Sequence, residues 1–305
     1  MSIGLWHLGL GVVVYVVYRA AWWTWVTFFK PIDLKPYQGN QSWAVITGAT
    51  DGIGLAFAKV FAQHGLNILL VSRNLEKLEA VKKSIQASSP KILVDFVVSD
   101  AADISVANIQ RVAEKCASRD VSVLVNNVGV GQGGIKLLQN LQDDAIQHAI
   151  TVNCTYPTLL TKALLPHMLR RSGRKLMINV SSIAALIMNP FSSVYAGTKA
   201  FNRQFSLALS AELAHSGVDV LCVDPGFVES NMTKMKPGPF CCTAIECAES
   251  ALRKIGEIDV IPQWKHALTY ALSEVQTILP NSLWPKGVYY MVTKARAATG
   301  RLNGD

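Results

Sequence analysis

The chain has 305 residues, half of them hydrophobic, enough for one α/β domain with extensions around a single large core. Its net charge of +8 is spread over short clusters (Lys82-Lys83, Arg170-Arg171, Arg174-Lys175, Lys234 and Lys236), with no long basic run and no aromatic-basic module, which argues against a nucleic-acid-binding protein. Six cysteines, at 116, 154, 222, 241, 242 and 247, form no C-x-x-C pair and have no histidine at ligand spacing, so they read as reduced thiols in a cytosolic domain with no metal. Cys241, Cys242 and Cys247 read either as packing in a loop and helix or as a palmitoylation site.

Residues 1–30 predict a membrane anchor. Ile3 to Tyr18 is free of charge and Ala20 to Phe29 is again apolar, with Arg19 between them. Twenty-seven helical residues reach about 40 Å, against a hydrocarbon core about 30 Å thick. Either the helix spans from Ile3 with Arg19 snorkelling, or it ends early and the Trp22-Trp23-x-Trp25 cluster lies in the interface. Arg19, Lys30 and Lys35 follow the apolar run, which favours a cytosolic catalytic domain. Four N-x-S/T sequons, at Asn40, Asn153, Asn179 and Asn231, agree with that side, because glycosylation at the two expected in the core would be ruinous. Residues 31–40, with two prolines and a glycine, read as a linker.

From residue 41 to about 262 strands and helices alternate. Strands are predicted at 43–47, 67–71, 92–98, 121–125, 175–181 and 218–223, and helices at 52–64, 74–88, 105–118, 141–171, 193–215 and 243–255. This pattern implies an α/β, Rossmann-like doubly wound parallel sheet, with the strand C-terminal ends on one edge, where ligands sit in open α/β sheets. The first strand runs into Gly48-Ala49-Thr50-Asp51-Gly52-Ile53-Gly54 and then a helix, the pattern of a dinucleotide pyrophosphate site. The second strand ends in Ser72-Arg73-Asn74, without the acid that would hold a ribose 2′-hydroxyl. A small residue beside a cation suits a 2′-phosphate, so NADPH is the expected cofactor. Asp100, after the third strand, reads either as an acceptor for the adenine amine or as a turn-forming residue.

Tyr195 and Lys199 stand four apart on a predicted helix and so share a face, with Ser182 thirteen residues before the tyrosine. An ammonium near a phenol lowers its pKa, and a phenol adjusted this way exchanges a proton with an oxygen near neutral pH. Ser182 is expected to hold the substrate oxygen; Ser181 competes for that role, and capping of a strand end is the alternative for Ser182.

Thr47-Gly48-x-x-x-Gly52-x-Gly54, Asn126-Asn127-Val128-Gly129, Asn153, Ser182, Tyr195-x-x-x-Lys199 and Pro225-Gly226 together resemble the short-chain dehydrogenase/reductase superfamily over residues 40 to 260. The Asn-Asn-Val-Gly form and the apolar segments at both ends resemble the membrane-bound very-long-chain 3-oxoacyl-CoA reductases and the 17β-hydroxysteroid dehydrogenases of types 3 and 12. The resemblance implies Tyr195 as proton donor, Lys199 on the nicotinamide ribose, Ser182 on the substrate and Asn153 placing a relay water. It implies a cofactor cleft lined by Gly48, Thr50, Asp51, Gly52, Ile53, Gly54, Arg73, Asp100, Asn127, Gly129, Tyr195, Lys199, Pro225, Gly226, Val228 and Ser230.

The expected reaction is NADPH-dependent reduction of a lipid ketone. The first choice is 3-oxoacyl-CoA in fatty-acid elongation, the alternative is a 17-ketosteroid, and a non-catalytic scaffold of the elongation complex is the third. The expected setting is the endoplasmic reticulum membrane, with other elongation enzymes or a second copy of the chain as partners. Residues 263–305 predict an apolar helical tail, either lying on the membrane or packing as a helix pair on the core or a second subunit. Gly131 to Gln142 is poor in aromatics where the resembled reductases are rich in them, which weakens the acyl-chain reading. The end, Arg301-Leu302-Asn303-Gly304-Asp305, carries no dilysine retrieval signal, so residence rests on the anchor.

Overall fold

The computed structural model describes residues 2–274, 285–287, 289–290 and 293–294. Its first six strands are β1 (Ser42–Thr47), β2 (Asn67–Ser72), β3 (Val94–Val98), β4 (Asp120–Asn126), β5 (Lys175–Val180) and β6 (Val218–Val223). Two short strands, β7 (Phe227–Val228) and β8 (Cys241–Cys242), pair only with each other, and β9 (Asp259–Val260) joins the main sheet. The order is β3-β2-β1-β4-β5-β6-β9, parallel throughout. This is the predicted doubly wound sheet with one more strand. β9 is two residues long and offers no periodicity to read.

Burial on both faces explains why the strands read as continuous apolar runs. Alternate residues of one strand point to opposite faces. Ala44, Ile46, Ile68 and Leu70 enter one core, while Trp43, Val45, Leu69 and Val71 enter the other. The first core is covered by α2 (Gly52–Gln63), α3 (Leu75–Ser88) and α8 (Ala244–Arg253), through residues such as Phe57, Phe61, Leu78 and Leu252. The second is covered by α4 (Val106–Ala117), α6 (Tyr156–Leu169) and α7 (Ser193–Glu212). The single helix predicted over 141–171 is α5 (Asp143–Ile150) and α6 joined by a π-turn over Thr151–Thr155. Such turns concentrate at functional sites, and this one carries Asn153.

α1 (Ser2–Thr24) continues into a π-turn over Trp25–Phe29. Trp6–Phe29 is long and apolar enough to cross a membrane, and it is largely unburied by the rest of the chain. Its exit is fixed to the domain. Val26 and Thr27 are buried, Lys30 Nζ donates to the Ile255 carbonyl at 3.0 Å, and Leu34 and Tyr37, from the expected linker, join the first core. Tyr37 Oη donates to Asp219 at 2.6 Å.

All six cysteines are buried, so Cys241, Cys242 and Cys247 serve packing and offer no exposed thiol for acylation. Asn153 and Asn179 are buried, as the sequon argument expects. α9 (Trp264–Glu274) opens the C-terminal segment, with Trp264, Leu268 and Leu272 exposed along one stripe and His266 buried. The tail residues Ile278, Leu279, Leu283, Trp284 and Arg296 lie outside the described residues.

Candidate active site

The turn after β1 is built by three glycines with different duties. Gly48 (φ +63°) and Gly52 (φ +51°) adopt the left-handed conformation that other residues avoid. A Cβ on Gly54 would collide with the Gly48 carbonyl and the Asn127 amide. Thr47 ties this turn to the end of β4: its Oγ1 donates to the Val125 carbonyl at 3.1 Å and accepts from Asn127 N at 3.0 Å and Val128 N at 3.1 Å. Asn127 returns its side-chain amide to the Thr47 carbonyl at 2.9 Å.

These elements wall a cleft of about 550 Å³ at the C-terminal edge of the sheet. Of the expected site residues, all but Gly54 and Asn153 line it. Gly54 instead supports the wall, and Asn153 lies directly behind it. At one end stand Ser72, Arg73 and Lys77; at the other, Ser182, Tyr195 and Lys199. The glycine cradle, the cationic end and the cleft volume fit a phosphorylated dinucleotide. Asp100 takes its turn-forming role, accepting from Ala102 N at 3.0 Å, and lines the cleft as well. The Asp51 carboxylate accepts from Asn231 N at 2.9 Å, and a Cβ on Gly52 would lie 3.0 Å from Ser230 Cβ. The loop after β7 is thereby seated on the glycine turn.

At the catalytic end, Lys199 is buried and donates to the Val180 carbonyl at 2.9 Å. Gly129 leaves room for it: a Cβ there would lie 3.2 Å from Lys199 Nζ and 3.4 Å from Asn153 Oδ1. Asn153 accepts from Val130 N at 2.8 Å and donates to the Val130 carbonyl and Thr198 Oγ1, both at 2.9 Å. Ser182 caps a short turn by accepting from Ala184 N at 3.2 Å, and it donates to the Pro225 carbonyl at 3.3 Å. Capping and a place in the cleft are therefore combined in one residue. Ser181 is committed elsewhere, donating to the Lys199 carbonyl at 2.8 Å.

The electrostatics correct one expectation. Burial pushes the Tyr195 phenol above its usual value and the Ser182 hydroxyl pulls it partly back; Lys199 is not among the causes. The Lys199 ammonium sits 5.8 Å from the Tyr195 ring centroid, over the ring. Burial lowers Lys199 itself to about 8. In this geometry burial sets the direction for both groups.

Several contributors went unread in the sequence. Lys77 adds a second cation beside Arg73, one helical turn into α3, a spacing that was available to be read. Tyr156, completely enclosed, hydrogen-bonds Ser99 Oγ at 2.9 Å along the cleft wall. Gln132 accepts from Tyr195 N at 3.0 Å and donates to the Phe191 carbonyl at 2.8 Å, bracing the start of α7. Nothing local marks Gln132, because its partners lie about sixty residues away.

The family model described as short chain dehydrogenase matches residues 42–238. The chain is 35% identical to hydroxysteroid dehydrogenase-like protein 1 of Gallus gallus, over 83% of this chain and 76% of that protein. It is 34% identical to a very-long-chain 3-oxoacyl-CoA reductase-like protein of Arabidopsis thaliana, over 82% and 81%. Among solved structures, a short-chain dehydrogenase from Sphingobium yanoikuyae in complex with NADPH superposes with a TM-score of 0.64 at 25% identity, over 79% of this chain and 97% of that one. The matched span holds the glycine turn, the Ser182–Tyr195–Lys199 group and six of the seven main strands, and on that ground the chain belongs to the short-chain dehydrogenase family of oxidoreductases.

Proposed function

We propose that this oxidoreductase uses NADPH to reduce a lipid ketone to a secondary alcohol, with 3-oxoacyl-CoA as the substrate. One observation carries the reading: Ser182, Tyr195 and Lys199 converge at one end of a glycine-lined cleft whose other end presents Arg73 and Lys77. When bound, the cofactor supplies the hydride for the carbonyl carbon. Tyr195, its phenol kept protonated by burial, donates a proton to the carbonyl oxygen as the C=O π electrons move onto that oxygen. Ser182 orients the oxygen, and Lys199, at about 8, is largely cationic near neutral pH and offers the proton that restores the phenol. Asn153 holds the Val130 backbone against the lysine. Arg73 and Lys77 read the 2′-phosphate.

The relative from Arabidopsis supports an acyl-CoA substrate by its name and the relative from Gallus supports a steroid, so a 17-ketosteroid is the second reading. Met232, which lines the cleft, and the exposed Met235 and Phe240 on the same loop suit either apolar ligand. The apolar Trp6–Phe29 helix supports residence in a membrane, for which we take the endoplasmic reticulum, and the basic residues that follow it support a domain that faces the cytosol.

The test is NADPH oxidation by membranes carrying the full chain, fed 3-oxoacyl-CoA and a 17-ketosteroid in parallel. Tyr195→Phe should lower turnover by about 10²- to 10⁴-fold. Equal rates for wild type and variant would remove the catalytic assignment, and a several-fold preference for the steroid would replace the substrate.

A further inference from the structure

β7, β8 and α9 meet at one imidazole. His266 is completely buried, with Nε2 2.9 Å from the Phe227 carbonyl oxygen and 3.6 Å from Cys242 Sγ. A carbonyl only accepts, so Nε2 carries the hydrogen of that bond. Nδ1 is buried without a hydrogen-bond partner. An apolar side chain would fill the space without stranding a nitrogen, so what the imidazole adds is its bond to Phe227. The ring also abuts the preceding residue: a Cβ on Gly226 would come within 2.7 Å of His266 Cδ2.

The segment held this way leads straight to the catalytic end. Pro225, Gly226 and Val228 line the cleft, and the Pro225 carbonyl accepts from Ser182 Oγ at 3.3 Å and Ile183 N at 3.0 Å. The pairing of β7 with β8 is only two residues long and cannot by itself fix the loop.

The geometry points to His266 as a positioning residue for the loop Pro225–Val228, fixing it through the Phe227 carbonyl and tying the C-terminal segment to the Ser182 end of the site. The inference rests on the oxidoreductase reading of the cleft and goes beyond it, because His266 lies outside the span matched by the family, 42–238.

The test uses the full chain in detergent micelles with His266→Leu, which removes the donor, and His266→Gln, which places an amide N–H near the position of Nε2. NADPH affinity is read by fluorescence without lipid substrate, followed by KM for NADPH, kcat and the thermal midpoint. His266→Leu should weaken NADPH binding and raise its KM by about tenfold, the loss of one buried hydrogen bond, while His266→Gln stays close to wild type. Wild-type affinity in His266→Leu, or equal losses in both variants, would overturn the inference. If His266→Leu does not fold, His266→Asn takes its place, because its shorter amide stands where Nδ1 stands and does not reach the Phe227 carbonyl. A loss of affinity at an unchanged midpoint supports the role, and native affinity overturns it. A wild-type protein that binds NADPH but reduces neither ketone would sink the substrate reading alone, since affinity judges His266 separately.

Discussion

Two walls of the cleft are held by different means. The turn after β1 is fixed by its own backbone, with glycines in conformations other residues avoid, and by the Thr47 and Asn127 bonds to the neighbouring strand. The region after β6 has little regular structure: a two-residue strand pair, a loop exposing Met232, Met235 and Phe240, and α9 docked through His266. The first wall has one solution because sterics leave no other. The second is assembled from single side-chain contacts across long sequence separations, which leaves it freer to change with the substrate.

Four substitutions test that contrast. Gly54→Ala should have the largest effect, since its Cβ meets backbone and a committed amide. We expect a loss of about 1–3 kcal/mol or more in stability, and of cofactor binding with it. Normal NADPH affinity and an unchanged denaturation curve would show that the turn has slack. Arg73→Asp should weaken NADPH relative to NADH by about ten- to a hundredfold, the worth of a charge-assisted hydrogen bond. An unchanged ratio of the two dissociation constants would move phosphate reading to Lys77.

Asp224 tests the root of the second region, where β6 ends beside β9. It is buried beside Asp259, and burial together with that neighbouring carboxylate raises it to about 8 against the pull of Arg203, whose Nε lies 3.8 Å away. A carboxyl whose folded pKa lies above its unfolded value stabilises the fold when protonated. That contribution is present in full below the unfolded value and declines as pH rises from about 4, being lost above about 8. The thermal midpoint should therefore fall between pH 5 and pH 8, and Asp224→Asn should flatten the decline; identical slopes would refute a protonated Asp224 in the fold. The smallest effect on stability belongs to Phe240→Ala. Exposed on the loop between β7 and β8, it should shift unfolding by less than about 0.5 kcal/mol. The variant's KM for the lipid ketone should rise nonetheless, and an unchanged KM would take this loop out of substrate binding.

The legibility of the sequence follows the same division. The six long strands were readable because burial on both faces of the central ones makes them mostly apolar runs, and the cleft residues because they sit just past those strand ends. β9 was not readable, since Asp259 and Val260 pair with β6 only after α8 has carried the chain back to the sheet. His266 looked like any histidine in an amphipathic stretch, and its burial depends on Phe227 and Cys242, 39 and 24 residues away.

By itself the sequence determined the parallel sheet, the glycine turn, the cationic end of the cleft and the Ser182, Tyr195 and Lys199 set, because each is written in local spacing and backbone sterics. Only the tertiary structure decided how those groups are charged. Tyr195 is held protonated and Lys199 is lowered because burial strips water from both, and desolvation is a property of everything that packs around a group, wherever it lies in the chain.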